Sequence, residues 1–134
     1  MGMRYLDSCM LIDAMHNPGE NGERIRELIL EPRNEDRFVI SPMVELECMV
    51  RPLRTNSAER LKAVRGLIAR FRSVEVGSGA FRLAAELRSR HGFKTPDAIH
   101  IAAASMSGCD QLWTTDKALL RRWPYFIVNP LVLP

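Results

Sequence analysis

Short apolar runs alternate with segments of helical periodicity along this chain, and that alternation restricts its fold more than any other feature. The runs are Tyr5-Leu6, Phe38-Val39-Ile40, Val74-Glu75-Val76, Gln111-Leu112-Trp113 and Phe126-Ile127-Val128. Each is too short for a helix and reads as a strand, while the segments between them place apolar residues three and four apart. This order predicts an α/β fold, with a mainly parallel central sheet of about five strands and helices on both faces. A first short helix ends near the breaker Asn17-Pro18-Gly19, and a second spans Glu20 to Leu30. Arg33 to Arg37 reads as a charged loop. Ser41-Pro42 opens a helix expected to reach Val50, because serine caps free N–H groups and proline is tolerated in the first turn. Ser57 to Phe71 carries Leu61, Val64, Ile68 and Phe71 on one stripe. Ala80 to Arg90 stops at Gly92, and Thr95-Pro96 repeats the cap-then-proline device for a helix to about Ser107. Its Ala102-Ala103-Ala104 segment allows close approach to a sheet, and Lys117 to Arg122 forms a last short helix.

A length of 134 residues predicts a single domain over 1–134, large enough to bury a core without staples. No apolar run approaches the ~20 residues of a membrane span, and the N-terminus lacks a signal-peptide pattern. Cys9, Cys48 and Cys109 are odd in number, lie in apolar stretches and have no zinc-site spacing. They read as reduced core thiols in a cytoplasmic protein. Net charge is +3, yet Arg51 to Arg72 contains seven basic residues against the single acid Glu59. The remainder of the chain is therefore net negative. Such a segment is either a solvated helix face or the footprint of a polyanion, with Arg51, Arg54, Arg60, Lys62 and Arg65 as its contacts.

Asp7, Asp97 and Asp116 each stand at a helix start, where an aspartate alone is adequately explained as a cap. Their joint placement is more informative. Asp7 and Asp116 follow strands, and ligands of open α/β sheets bind beyond strand carboxyl ends. Carboxylates gathered there repel by about 4 kcal/mol at ~4 Å and an effective dielectric of 20. A hard divalent cation relieves that repulsion, and magnesium favours oxygen ligands with water. Glu47 falls within a stripe of Met43, Leu46 and Val50, so it is expected to face the core, with Glu45 turned away. A carboxylate so placed needs a metal or an ion-pair partner such as Arg4. Ser8, Thr114 and Thr115 either orient ligands or serve as caps. His100 is read as a core or helix-exposed residue, or as a supporting group beside Asp97. No glycine-rich phosphate loop, G-x-S-x-G elbow or H-E-x-x-H motif is present.

The ordered segments Tyr5-Leu6-Asp7-Ser8, Ile40-Ser41-Pro42 with Glu47, Lys94-Thr95-Pro96-Asp97-Ala98-Ile99-His100 and Trp113-Thr114-Thr115-Asp116 resemble a PIN domain. More narrowly, they resemble a VapC-type toxin of a type II toxin–antitoxin pair. The resemblance implies a magnesium-dependent endoribonuclease, with manganese as a substitute metal, acting on single-stranded RNA. It implies Asp7, Glu47, Asp97 and Asp116 as catalytic metal-binding acids, and in-line attack of a metal-activated water on the phosphodiester. A VapB-type antitoxin and a homodimer are further implications. Two alternatives are a catalytically silent PIN-like scaffold that binds RNA or protein, and a phosphoryl-accepting receiver domain. The receiver would need an acceptor aspartate on a middle strand, which Val74-Glu75-Val76 does not supply.

Overall fold

Tyr5 and Leu6 are fully buried in strand β1 (Arg4–Leu6), the central strand of a five-stranded sheet in the computed structural model. The structure describes residues 2–31, 37–123 and 126–132. The other strands are β2 (Phe38–Ile40), β3 (Arg72–Ser73), β4 (Gln111–Trp113) and β5 (Ile127–Val128). Their order is β3-β2-β1-β4-β5, and every pairing is parallel. All three residues of β2 are buried, as expected for a parallel strand covered on both faces.

Among the described residues seven α-helices connect the strands: α1 (Ser8–His16), α2 (Glu20–Ile29), α3 (Pro42–Arg54), α4 (Ala58–Ile68), α5 (Ser78–His91), α6 (Thr95–Met106) and α7 (Lys117–Arg122). Helix α1 packs on α2 and α3, and α6 packs on α5, α3 and β4. Ala102, Ala103 and Ala104 are buried, so the small side chains do bring α6 close to its neighbours. Gly92 ends α5 at φ 68°, a left-handed conformation that glycine adopts without a Cβ penalty. Among the described residues no helix is long and apolar enough to cross a membrane.

The chain moves outward from β1 to β2 and β3, then crosses back to β4 and β5 on the other side. The reversal leaves a crevice between the carboxyl ends of β1 and β4, where such sheets bind ligands. Leu6 pairs with Trp113 in register, so Asp7 and Thr114 emerge side by side at that crevice.

Four local expectations need correction. The third strand is Arg72–Ser73, two residues before the apolar Val74-Glu75-Val76 run, because the ladder with Val39 and Ile40 fixes its register. Helix α3 continues through Pro52 to Arg54. Thr95 is the first residue of α6, and Lys94 occupies the cap position with no side-chain bond. The last strand begins at Ile127. Of the expected charged loop Arg33 to Arg37, only Arg37 is among the described residues.

Candidate metal centre

Asp7 is held by the sheet and by a helix at once. Its backbone N–H donates to the Trp113 carbonyl at 3.0 Å, extending the β1–β4 ladder by one bond. Its side chain caps α1, with Oδ1 accepting from the Ser8 N–H at 2.8 Å. The Thr114 hydroxyl donates to Oδ2 at 2.8 Å. Thr114 is itself fully buried, and Asp7 is 6% exposed. Capping and site-building are therefore compatible roles for one carboxylate.

Glu47 reaches the same crevice from α3, but not by the stripe its sequence suggests. Leu46 and Val50 are exposed, and the buried face of α3 is Val44, Cys48 and Pro52. Glu47 flanks that face with its side chain 28% exposed. Its partner is His100 and not Arg4, whose guanidinium lies over the Trp113 ring. Glu45 points elsewhere and accepts a bond from the Ser73 hydroxyl at 3.3 Å.

His100 joins these parts. Its Nε2 lies 2.5 Å from Glu47 Oε1 and 3.5 Å from Asp7 Oδ1. Its Nδ1 lies 2.7 Å from the Tyr5 hydroxyl, which lies 2.6 Å from Ser41 Oγ. Burial would raise the Glu47 carboxyl, but His100 and a bond from Ser8 hold it below the usual value. Glu47 is thus ionised at neutral pH and can only accept, so Nε2 carries a proton. Burial pushes the Tyr5 phenol far above its ordinary range, so it stays protonated. With a neutral ring, one proton order satisfies every contact: Ser41 O–H donates to Tyr5, Tyr5 to Nδ1, and Nε2–H to Glu47. The Met43 N–H donates to Ser41 Oγ at 3.2 Å and anchors the far end of the chain at the start of α3.

Asp97, three residues before His100 on α6, is half-buried. Burial raises its carboxyl above the usual range, and the negative charges of Asp7 and Asp116 raise it further. His100 opposes that rise, and Glu47 adds to it. The four acids therefore share one electrostatic neighbourhood. Asp116 is the exposed member, and its Oδ1 accepts from the Ala118 and Leu119 N–H groups as the cap of α7. Thr115 bonds to the Cys9 sulfur and not to an acid. Burial pushes the Cys9 thiol up to about 11, so it remains a thiol at neutral pH. That state argues against a thiolate ligand or nucleophile.

The donor set fits a divalent cation. Ligand atoms of Asp7, Glu47 and His100 all lie within 4.8 Å of one another. Two of these three groups are carboxylates, a donor set that suits a hard ion better than zinc or copper. The protonated Nε2 makes His100 a group that orients Glu47, as outer partners commonly orient ligating carboxylates.

The PIN domain model matches residues 4–122, and the chain belongs to that family. Solved structures share the fold at low identity. A toxin–antitoxin complex from Klebsiella pneumoniae aligns with TM-score 0.75 and 20% identity, over 95% of this chain and 97% of that one. FitAcB from Neisseria gonorrhoeae aligns with TM-score 0.78 and 16% identity, over 98% and 100%. VapC20 from Mycobacterium tuberculosis, a sarcin–ricin loop cleaving toxin, aligns with TM-score 0.71 and 15% identity, over 95% and 99%. No protein of curated function matches the sequence.

Sequence reasoning named the four acids as candidates but missed the Ser41–Tyr5–His100 chain that supports Glu47. The one available signal was the spacing of His100 from Asp97, which puts both on neighbouring positions of α6.

Proposed function

We propose that this protein is a magnesium-dependent endoribonuclease and the toxin of a VapBC-like toxin–antitoxin pair. The observation that carries this reading is the meeting of the Asp7 and Glu47 carboxylates with His100 at the β1–β4 crevice, their ligand atoms within 4.8 Å of one another, and Asp97 three residues before His100 on α6. An acidic cluster of this kind is stable when a cation is bound. Asp7 and Asp97 would be the inner ligands, with Glu47 and Asp116 completing the set. A bound cation would lower the pKa of an attacking water and offset charge on the phosphodiester oxygens. Thr114 and Ser8 hold the Asp7 carboxylate in place, and the Ser41–Tyr5–His100 chain fixes Glu47.

Incubation with single-stranded RNA tests this directly. Cleavage is expected with magnesium or manganese and none with chelator. Intact RNA in every condition, on several sequences and with inhibitor-free protein, would favour the silent scaffold. Support for a partner comes from the Klebsiella complex, which is a toxin with its antitoxin. A neighbouring reading frame for a small VapB-type protein is expected, and its coexpression should suppress cleavage in the cytoplasm.

Homodimer formation belongs to the same reading. Leu46, Val50 and Leu53 form an exposed apolar strip on α3, and Phe81 is exposed on α5. A cavity of about 230 Å³ lined by Met43, Leu46 and Phe81 adjoins the strip. A second copy placing its own strip there would cover this face with a two-fold interface. Sedimentation should then report twice the mass of one 15.2 kDa chain, and Leu46→Arg should restore the single mass. A single-chain mass for the wild type at high concentration would exclude the dimer.

A further inference from the structure

Helices α1 and α3 pack together, and both lead away from the acids. Ser8, Ile12 and His16 are four apart on α1, and Glu47 and Arg51 are four apart on α3. At 1.5 Å per residue, Arg51 lies ~6 Å along α3 from Glu47, and His16 ~12 Å along α1 from Ser8. At this far end His16, Arg51 and Arg60 line a cavity of about 250 Å³ with the buried Pro52. A water occupies about 30 Å³ of liquid, so the cavity has room for a phosphate group with part of its hydration shell.

Among the described residues the charged side chains that line this cavity are both basic, with Glu59 beside Arg60 on α4 but outside the lining. Arg51 and Arg60 are exposed and form no ion pair among the described residues, nor does the His16 ring. The carboxyl ends of α1 and α3 would disfavour an anion here. At α1 that effect is offset, because the Arg26 guanidinium donates to the Ala14 and Asn17 carbonyls at 3.1 and 2.9 Å. Arg60 stands in the first turn of α4, whose amino end carries the opposite, favourable dipole. Two forked guanidiniums and an imidazole suit a phosphodiester well.

We propose that the His16–Arg51–Arg60 cavity is a phosphate subsite, which anchors a single-stranded nucleic acid whose neighbouring segment lies over the acids. The assignment deepens the ribonuclease reading and rests on it for the identity of the strand. It singles out two of the basic residues between Arg51 and Arg72 and adds His16, which lies outside that segment.

The test is binding, measured without cleavage. Fluorescence anisotropy of a labelled single-stranded RNA of about a dozen nucleotides is followed in chelator, against salt. Arg51→Ala/Arg60→Ala should weaken binding at least tenfold at low salt and reduce the log–log salt slope by about 1.4. Arg82→Ala/Arg90→Ala removes equal charge from exposed positions of α5 and should change affinity less than twofold. Arg51→Lys/Arg60→Lys should recover part of the affinity, and circular dichroism checks that each variant is folded. Equal losses in the two alanine pairs would overturn the subsite, as would no RNA binding by the wild type. Loss of affinity only for polyglutamate, with RNA binding intact, would make the cavity a protein-docking site and overturn it too. The assay separates the two claims. Wild-type RNA binding through the cavity with no cleavage in magnesium would sink the nuclease and leave the subsite. Cleavage in magnesium with unchanged binding by the Arg51/Arg60 variant would do the reverse.

Discussion

Asp97→Asn protein is expected to cleave RNA about 10²–10³-fold more slowly than wild type, the usual cost of removing one group that stabilises transition-state charge. The same substitution should raise the unfolding temperature in chelator. Asp97 has a carboxyl raised above its unfolded value by burial, Asp7 and Asp116. A group raised in this direction contributes stability below its unfolded pKa, and loses that contribution as pH rises through the folded pKa. At neutral pH the ionised form therefore destabilises the cation-free fold. Asparagine keeps the shape and removes the charge. With a half-buried group and solvent screening, the gain is at most about 1 kcal/mol, or a few degrees. Saturating magnesium should reverse the order, because only the wild type gains binding energy from it. Thermal denaturation with and without magnesium, beside a cleavage time course, measures both effects. A variant that is slower to cleave and also less stable in chelator would contradict the electrostatic account.

His100→Ala should cost stability as well as rate. The ring is 1% exposed and bridges Tyr5 to Glu47 across the crevice. Its removal leaves a cavity, deprives the buried Tyr5 hydroxyl of its acceptor and frees the Glu47 side chain. Together these changes should destabilise the fold by about 2–4 kcal/mol. Because His100 acts through Glu47, activity should fall about 10–100-fold and half-saturation should need more magnesium. Tyr5→Phe provides the contrast. It removes the hydroxyl that Ser41 and His100 share but leaves the His100–Glu47 bond, so it should cost about 1–3 kcal/mol with a smaller change in magnesium requirement. Equal magnesium dependence for His100→Ala and wild type would reduce His100 to a packing residue.

The positions of Asp7 and Asp116 in the fold were legible because they obey local rules. Asp7 and Asp116 follow strands and begin helices, and those two facts place them on one rim once the sheet is parallel. The strand at Phe38–Ile40 and the Ser41 cap were equally plain, since propensity, proline position and burial agree there. Helix α3 misled because it carries two apolar stripes. Val44, Cys48 and Pro52 enter the core, while Leu46, Val50 and Leu53 stay exposed. Periodicity alone gives no way to rank one stripe above the other, and the structure puts Glu47 beside the buried one, not within it. Strand β3 was misplaced because it is a two-residue edge whose register is set by Ile40, not by its own hydrophobicity. The Ser41–Tyr5–His100–Glu47 chain was invisible for a different reason. It joins β1, α3 and α6, and contacts between elements so far apart in sequence leave no spacing to read.

The claim on which everything else depends is that the acids hold a divalent cation. Titration of manganese into metal-free protein, followed by the loss of the free-ion electron paramagnetic signal, tests it most directly. The wild type should take up the ion saturably, magnesium should compete for it, and Asp7→Asn should abolish the uptake while keeping the α1 cap through its remaining side-chain oxygen. Equal uptake by wild type and Asp7→Asn, or no uptake by either, would contradict the account.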